Sequence, residues 1–214
     1  MYIPKLHEQN DPRAIHKLIS QYPLATVITQ CTVSGIEANH IPLHLDLDQG
    51  SVGVLQGHIA RVNPLAHMLE EDLDVLAIFH GPQAYVTPSW YATKAETGKV
   101  APTWNYTVVH AYGILRKIED PAWILDNLET LTACNEASLP EPWKVSDAPR
   151  EFIERLLNQI VGIEMEITRL TGKWKVSQNQ PAVNQESVVK GLRNFGGAEA
   201  GEMADLVDAY RKHE

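Results

Sequence analysis

The strongest constraint on this chain's fold is a succession of strand-like segments punctuated by turn signals. Leu24 to Thr32 is rich in β-branched residues, Ser34-Gly35 is a turn signal, and Ile36 to Asp46 predicts a second strand. Asp48-Gln49-Gly50 predicts a second turn and Ser51 to Ile59 a third strand, so the spacing points to a meander of antiparallel strands. Farther on, Asp74 to Phe79 predicts an apolar strand, and Ala84 to Thr87 another after a Gly81-Pro82 turn. Trp104 to Ile118 predicts a long strand, in which His110, Tyr112 and Ile114 alternate against Val109, Ala111 and Leu115. Ile163, Met165 and Ile167 alternate with Glu164, Glu166 and Thr168, the pattern of a half-buried strand, and Gly172 to Ser177 continues after a turn.

Helices fill the intervals. Asp11 or Asn10 can cap a helix that has Pro12 in its first turn, carries Ile15, Leu18, Ile19 and Tyr22 at helical spacing, and stops at Pro23. Asn63-Pro64 opens a short helix with Leu65, Met68 and Leu69 as its apolar stripe. Asp120-Pro121 and Pro149 open two more, and a helical stretch from about Glu186 to Lys212 is broken at Gly196-Gly197. Pro88 to Pro102 is expected to be a long loop, a kind of segment that is usually functional inside a compact domain. With no repeat and no evident linker, residues 1–214 are expected to form a single mainly β, α+β domain with a helical C-terminal extension from about residue 186.

Charge and composition exclude several classes. A chain of 214 residues can bury a substantial core without a metal or disulfide staple. The formal net charge of −9 sets a global field that repels a polyanion, so direct duplex DNA binding is not expected. No helix-turn-helix, basic arm or zinc finger is evident. Cys31 and Cys134 stand far apart with no CxxC, which suits a reducing compartment. No apolar run is long enough to span a bilayer and no signal core follows Met1, so a cytoplasmic protein without a membrane partner is expected. His40 and His44 lack further ligands at metal-site spacing, and no metal is expected.

Four segments can carry chemistry. Gly57-His58-Ile59-Ala60-Arg61-Val62-Asn63-Pro64 sets an arginine between a strand end and a helix start, where a guanidinium fork and free N–H groups suit a phosphate. On the residues alone the simpler reading is that Asn63 caps the helix while Arg61 pairs with a surface carboxylate. Tyr85-Val86-Thr87-Pro88-Ser89-Trp90-Tyr91 with Lys94, and Pro102-Thr103-Trp104-Asn105-Tyr106, combine flat apolar walls with hydrogen-bonding groups, as a flavin ring requires; ordinary core packing explains them as well. Gly172-Lys173-Trp174-Lys175-Val176-Ser177-Gln178-Asn179, if extended, places Lys173 and Lys175 on one face and Trp174 on the other. Such a cationic strip suits an anion, or is a solvated turn.

These segments, together with Met1-Tyr2-Ile3-Pro4 and Ile160-Val161-Gly162-Ile163-Glu164, occur in an order that resembles the PaiB-type FMN-binding negative transcriptional regulators from the first residue to about Leu192. The resemblance implies an antiparallel FMN-binding split β-barrel with peripheral helices, related to the pyridoxamine-phosphate-oxidase-like flavoproteins. It also implies a homodimer with FMN at the subunit interface. On that analogy the flavin contacts are His58, Ile59, Arg61, Asn63, Ser89, Lys94, Trp104, Asn105, Tyr106, Lys175 and Gln178. The resemblance implies a regulator acting indirectly or through its flavin; the alternative is a flavin-dependent oxidoreductase using a nicotinamide reductant. No catalytic residue is assigned, although His58 or Tyr106 could assist proton transfer in the oxidoreductase.

Overall fold

The computed structural model describes residues 1–31 and 35–211. In chain order its elements are β1 (Glu8–Gln9), α1 (Pro12–Gln21), β2 (Leu24–Cys31), β3 (Gly35–Pro42), β4 (His44–Asp46), β5 (Val54–Ala60), α2 (Pro64–Met68), β6 (Leu73–Val86), α3 (Lys94–Thr97), β7 (Thr103–Ile118), α4 (Pro121–Glu136), α5 (Arg150–Leu157), β8 (Ile160–Lys175), α6 (Ala182–Phe195) and α7 (Ala198–Ala209). The architecture is α+β, with antiparallel pairing in every ladder described below. No helix among the described residues is long and apolar enough to cross a membrane.

The chain divides into two compact units. One holds Ile19–Phe79 and His110–Leu170. Its strands lie in the order β3-β2-β6-β7-β8-β5-β4. The β2–β3 hairpin pairs Leu24 with Pro42 through to Cys31 with Gly35; of its expected turn, Ser34 lies outside the described residues, as does Thr32 at the strand's expected end. The expected strand Ile36 to Asp46 is two strands. Pro42 has no N–H to offer, and Leu43 turns inward, fully buried, with its N–H donated to the Pro23 carbonyl at 2.9 Å. The expected strand Ser51 to Ile59 begins later, at Val54.

A simple meander is not what forms. β5 hairpins with β4 but takes β8 as its other neighbour, pairing Val54 with Glu166 through to Ala60 with Ile160. Sequence spacing reports local hairpins and is silent on such distant partners. Leu55, Phe79, Leu115, Ile124, Ile163 and Met165 are fully buried and make the core of this unit. Glu164, expected on the solvent face, is only 4% exposed. Arg116 donates to its Oε1 through Nε at 3.0 Å and also through Nη2, and Gln56 Nε2 donates to its Oε2 at 2.8 Å.

The other unit holds Met1–Leu18, His80–Val109 and Thr171–Glu214. In it β1 pairs with the end of β8, Glu8 opposite Lys173 and Gln9 opposite Gly172. Two expected turns are absent. Gly81-Pro82 lies inside the continuous strand β6, and Gly172 inside the continuous strand β8. Both glycines serve close approach: a Cβ at Gly81 would collide with the Thr107 hydroxyl, and one at Gly172 would lie 2.9 Å from the Trp174 ring. The segment Pro88 to Pro102 is less irregular than expected, because it contains a 3-10 turn at Pro88–Trp90 and the short α3. The C-terminal helices begin earlier than expected, at Ala182, and break where expected, at Gly196 and Gly197, with φ of +80° and +88°. Val188, Leu192, Met203 and Val207 are buried, and Gln9 donates to the Tyr210 hydroxyl, so the apolar side of α7 is covered.

Candidate functional site

In the first unit, His58 and Ile59 sit in β5, just ahead of the junction that leads into α2. Ile59 is buried core. Arg61 donates from Nε to the Asn158 carbonyl at 3.1 Å, from Nη2 to the Ile160 carbonyl at 3.0 Å and from Nη1 to Glu119 at 3.0 Å. Asn63 caps α2 by accepting from the Leu65 N–H at 2.9 Å and donates to Asn39 at 3.1 Å. These side chains close the end of β5 against their own unit.

His58 is half-buried with the Asn127 side chain beside it. Burial pushes its pKa below the ordinary value of 6.5, and Asn127 pulls the other way. Because the folded pKa is depressed, the unfolded chain binds more protons as pH falls through 6.5, and stability is lost there. Melting curves between pH 7.5 and 5.5 should therefore show a smaller acid loss for His58→Gln than for the parent chain. An equal loss in both proteins would exclude His58 as a source.

In the second unit, Trp104 and Tyr106 belong to the start of β7, and Lys173 and Lys175 to the end of β8. The alternation of the strands separates the expected site residues by face. Trp104 and Tyr106 line a cavity of about 230 Å³ together with His80, Gly81, Gln83 and Thr107. Lys173 Nζ lies 5.2 Å from the Tyr106 ring centroid and donates to the Tyr2 carbonyl at 3.2 Å. Lys175 donates to the Thr103 hydroxyl and, at 2.8 Å, to the Trp104 carbonyl. An ammonium carries three N–H groups, so one remains for a ligand. None of the ion pairs among the described residues involves either lysine. Burial pushes the Lys175 ammonium below the usual lysine pKa; Tyr106 opposes that shift and Lys173 adds to it.

Asn105 points to the opposite, buried face and donates to the Ser177 hydroxyl at 2.9 Å, while its Oδ1 has no partner among the described residues. Gln178 is spent on the chain itself. It accepts from the Val176 N–H at 2.8 Å, donates to the Trp174 carbonyl at 2.7 Å, and its Oε1 lies 3.1 Å from His7 Nδ1. These bonds close a tight corner in which Ser177 takes a φ of +64°. Ser89 and Lys94 are brought together, with Lys94 Nζ 3.3 Å from the Ser89 hydroxyl. Their segment is docked on α6 by bonds from the Ala92 N–H to Ser187 and from the Thr93 N–H to Asn184. Sequence reasoning missed His80 and Gln83 as cavity walls. The available signal was weak: both lie in strand β6, whose end was hidden by the misread turn.

An antiparallel sheet here sets aromatic walls beside two lysines that join no ion pair among the described residues, and the fold is shared with solved proteins. It aligns with the FAD and heme binding protein from Mycobacterium smegmatis at a TM-score of 0.58 and 14% identity, over 79% of this chain and 73% of that one. It aligns equally with a conserved hypothetical protein from Mycobacterium tuberculosis, TM-score 0.58 and 11% identity, over 85% of this chain and 94% of that one. The chain belongs to the FMN-binding domain family: residues 1–169 match the model described as "Putative FMN-binding domain". The PaiB-type resemblance extends over the full length of both chains in the protease synthase and sporulation protein PAI 2 of Bacillus subtilis, at 29% identity. An uncharacterized protein of Emericella nidulans is 37% identical over 92% of each chain.

Proposed function

We propose that this protein is an FMN-binding regulator that senses redox state or a metabolite through its flavin. It acts in the cytoplasm as a homodimer, without gripping DNA directly. The observation that carries the site is the pair Lys173 and Lys175, free of ion pairs among the described residues, beside the walls made by Trp104 and Tyr106. A phosphate oxygen bound there accepts the remaining Lys175 N–H, and the aromatic rings flank the ring system. Arg61, Asn63, Asn105 and Gln178 hold the strand ends in place in this reading. The cavity of about 230 Å³ is smaller than the usual small-molecule site, so a second copy of the chain supplies the remaining wall. FMN when bound supplies one- or two-electron chemistry. The residues of this chain bind it, orient it and shield it from water.

The deciding experiment is a titration of flavin-stripped protein with FMN and, in parallel, riboflavin, with the oligomeric state measured by sedimentation. Tight binding that prefers FMN, by a dimer, is expected. Failure of folded protein to bind either flavin would remove this site from the reading. Steady turnover of NADH or NADPH with an electron acceptor by the FMN-loaded dimer would replace the sensor with a flavin-dependent oxidoreductase.

A further inference from the structure

A second cavity in the same unit, about 720 Å³, is lined by Tyr85, Trp90, Trp104 and Phe195 and lies beside the Gly196-Gly197 corner. Its size suits a small organic molecule. Tyr85 and Trp104 meet edge to face with centroids 6.1 Å apart, and Trp90 and Phe195 do the same at 6.3 Å. Three of these rings are exposed: Tyr85 by 47%, Trp104 by 54% and Phe195 by 77%. Contiguous exposed apolar surface around one hollow is a feature of ligand-binding grooves. The charge balance of the walls is one-sided. Glu199 is the carboxylic acid among the described lining residues, and no lysine or arginine among the described residues lines the cavity. Glu199 stands in the first turn of α7, and its full negative charge exceeds the partial positive charge of the helix start, about half a charge.

Aromatic faces are negative at the centre of the ring, and several rings around a hollow with a carboxylate at its edge attract a cation that is too bulky to be fully hydrated. We propose that this cavity binds a small organic cation, a quaternary or alkylated ammonium. The idea goes beyond the flavin site and does not rest on it, although Trp104 and Gln83 form walls of both cavities.

Calorimetric titration of the full chain, with and without saturating FMN, tests it. The probes are choline and its neutral carbon isostere 3,3-dimethylbutan-1-ol. Choline is expected to bind roughly tenfold more tightly than the isostere. Glu199→Gln should reduce that preference while leaving the isostere unchanged, and Trp90→Leu should weaken both. FMN should leave choline binding in place. Equal affinity for the two probes would make the hollow merely apolar and overturn the proposal. Absence of choline binding by folded protein, or one-for-one displacement of choline by FMN, would overturn it as well. The FMN titration stands apart from these outcomes, so either reading can fail alone.

Discussion

Replacing Lys175 with methionine is expected to weaken FMN by about 10- to 100-fold, the range for losing one charge-assisted hydrogen bond, and to leave riboflavin binding nearly unchanged. The ammonium is held by the Thr103 hydroxyl and the Trp104 carbonyl, which aim it without neutralising it. Burial already makes its charge costly, so the folded chain is poised to gain when an anion arrives. Methionine keeps the stem's apolar packing and removes only the charge and the donors. The FMN-to-riboflavin ratio is the diagnostic quantity, because general damage to the site lowers both affinities. Lys173→Met should show a smaller loss of the same kind, since that ammonium is already engaged by the Tyr106 ring and the Tyr2 carbonyl. A parallel fall of both flavins in Lys175→Met would mean that Lys175 shapes the strand end and does not meet the phosphate.

Local signals in the sequence proved readable where a single residue decides the geometry. Asn63 caps α2 and the Gly196-Gly197 pair separates α6 from α7, because an Asx oxygen and a positive φ act within a few residues. The alternation in β7 also holds, with Val109, Ala111 and Leu115 buried. The readings that went astray share one cause. Gly81 and Gly172 look like turn formers, yet each makes room for a side chain distant in sequence. Glu164 looks solvent-facing because alternation tracks one face and cannot see Arg116 arriving from another strand. The aromatic and lysine segments of the candidate site were legible as chemistry. Their separation by face was legible for Lys173 and Lys175 alone, since the strand end at Ser177 depends on an uncommon backbone angle.

The buried carboxylate at Glu164 sets the largest expected stability effect. Arg116→Leu leaves Glu164 with Gln56 as its remaining side-chain donor, in a position where its own side chain is 5% exposed. Losing one partner of a fully buried pair costs about 3–5 kcal/mol, but the Arg116 side chain is 55% exposed and water can partly replace it, so about 2 kcal/mol is expected. For a chain of this length that corresponds to a fall in Tm of about 4–8 °C. Glu164→Gln alone should cost less, because a neutral amide is cheaper to bury than an unpaired charge. The double variant should be more stable than the sum of the single losses, since removing the charge also removes the need for its partner. Additive losses in this cycle would mean that Arg116 stabilises through its packing against the sheet and not through the carboxylate beneath it.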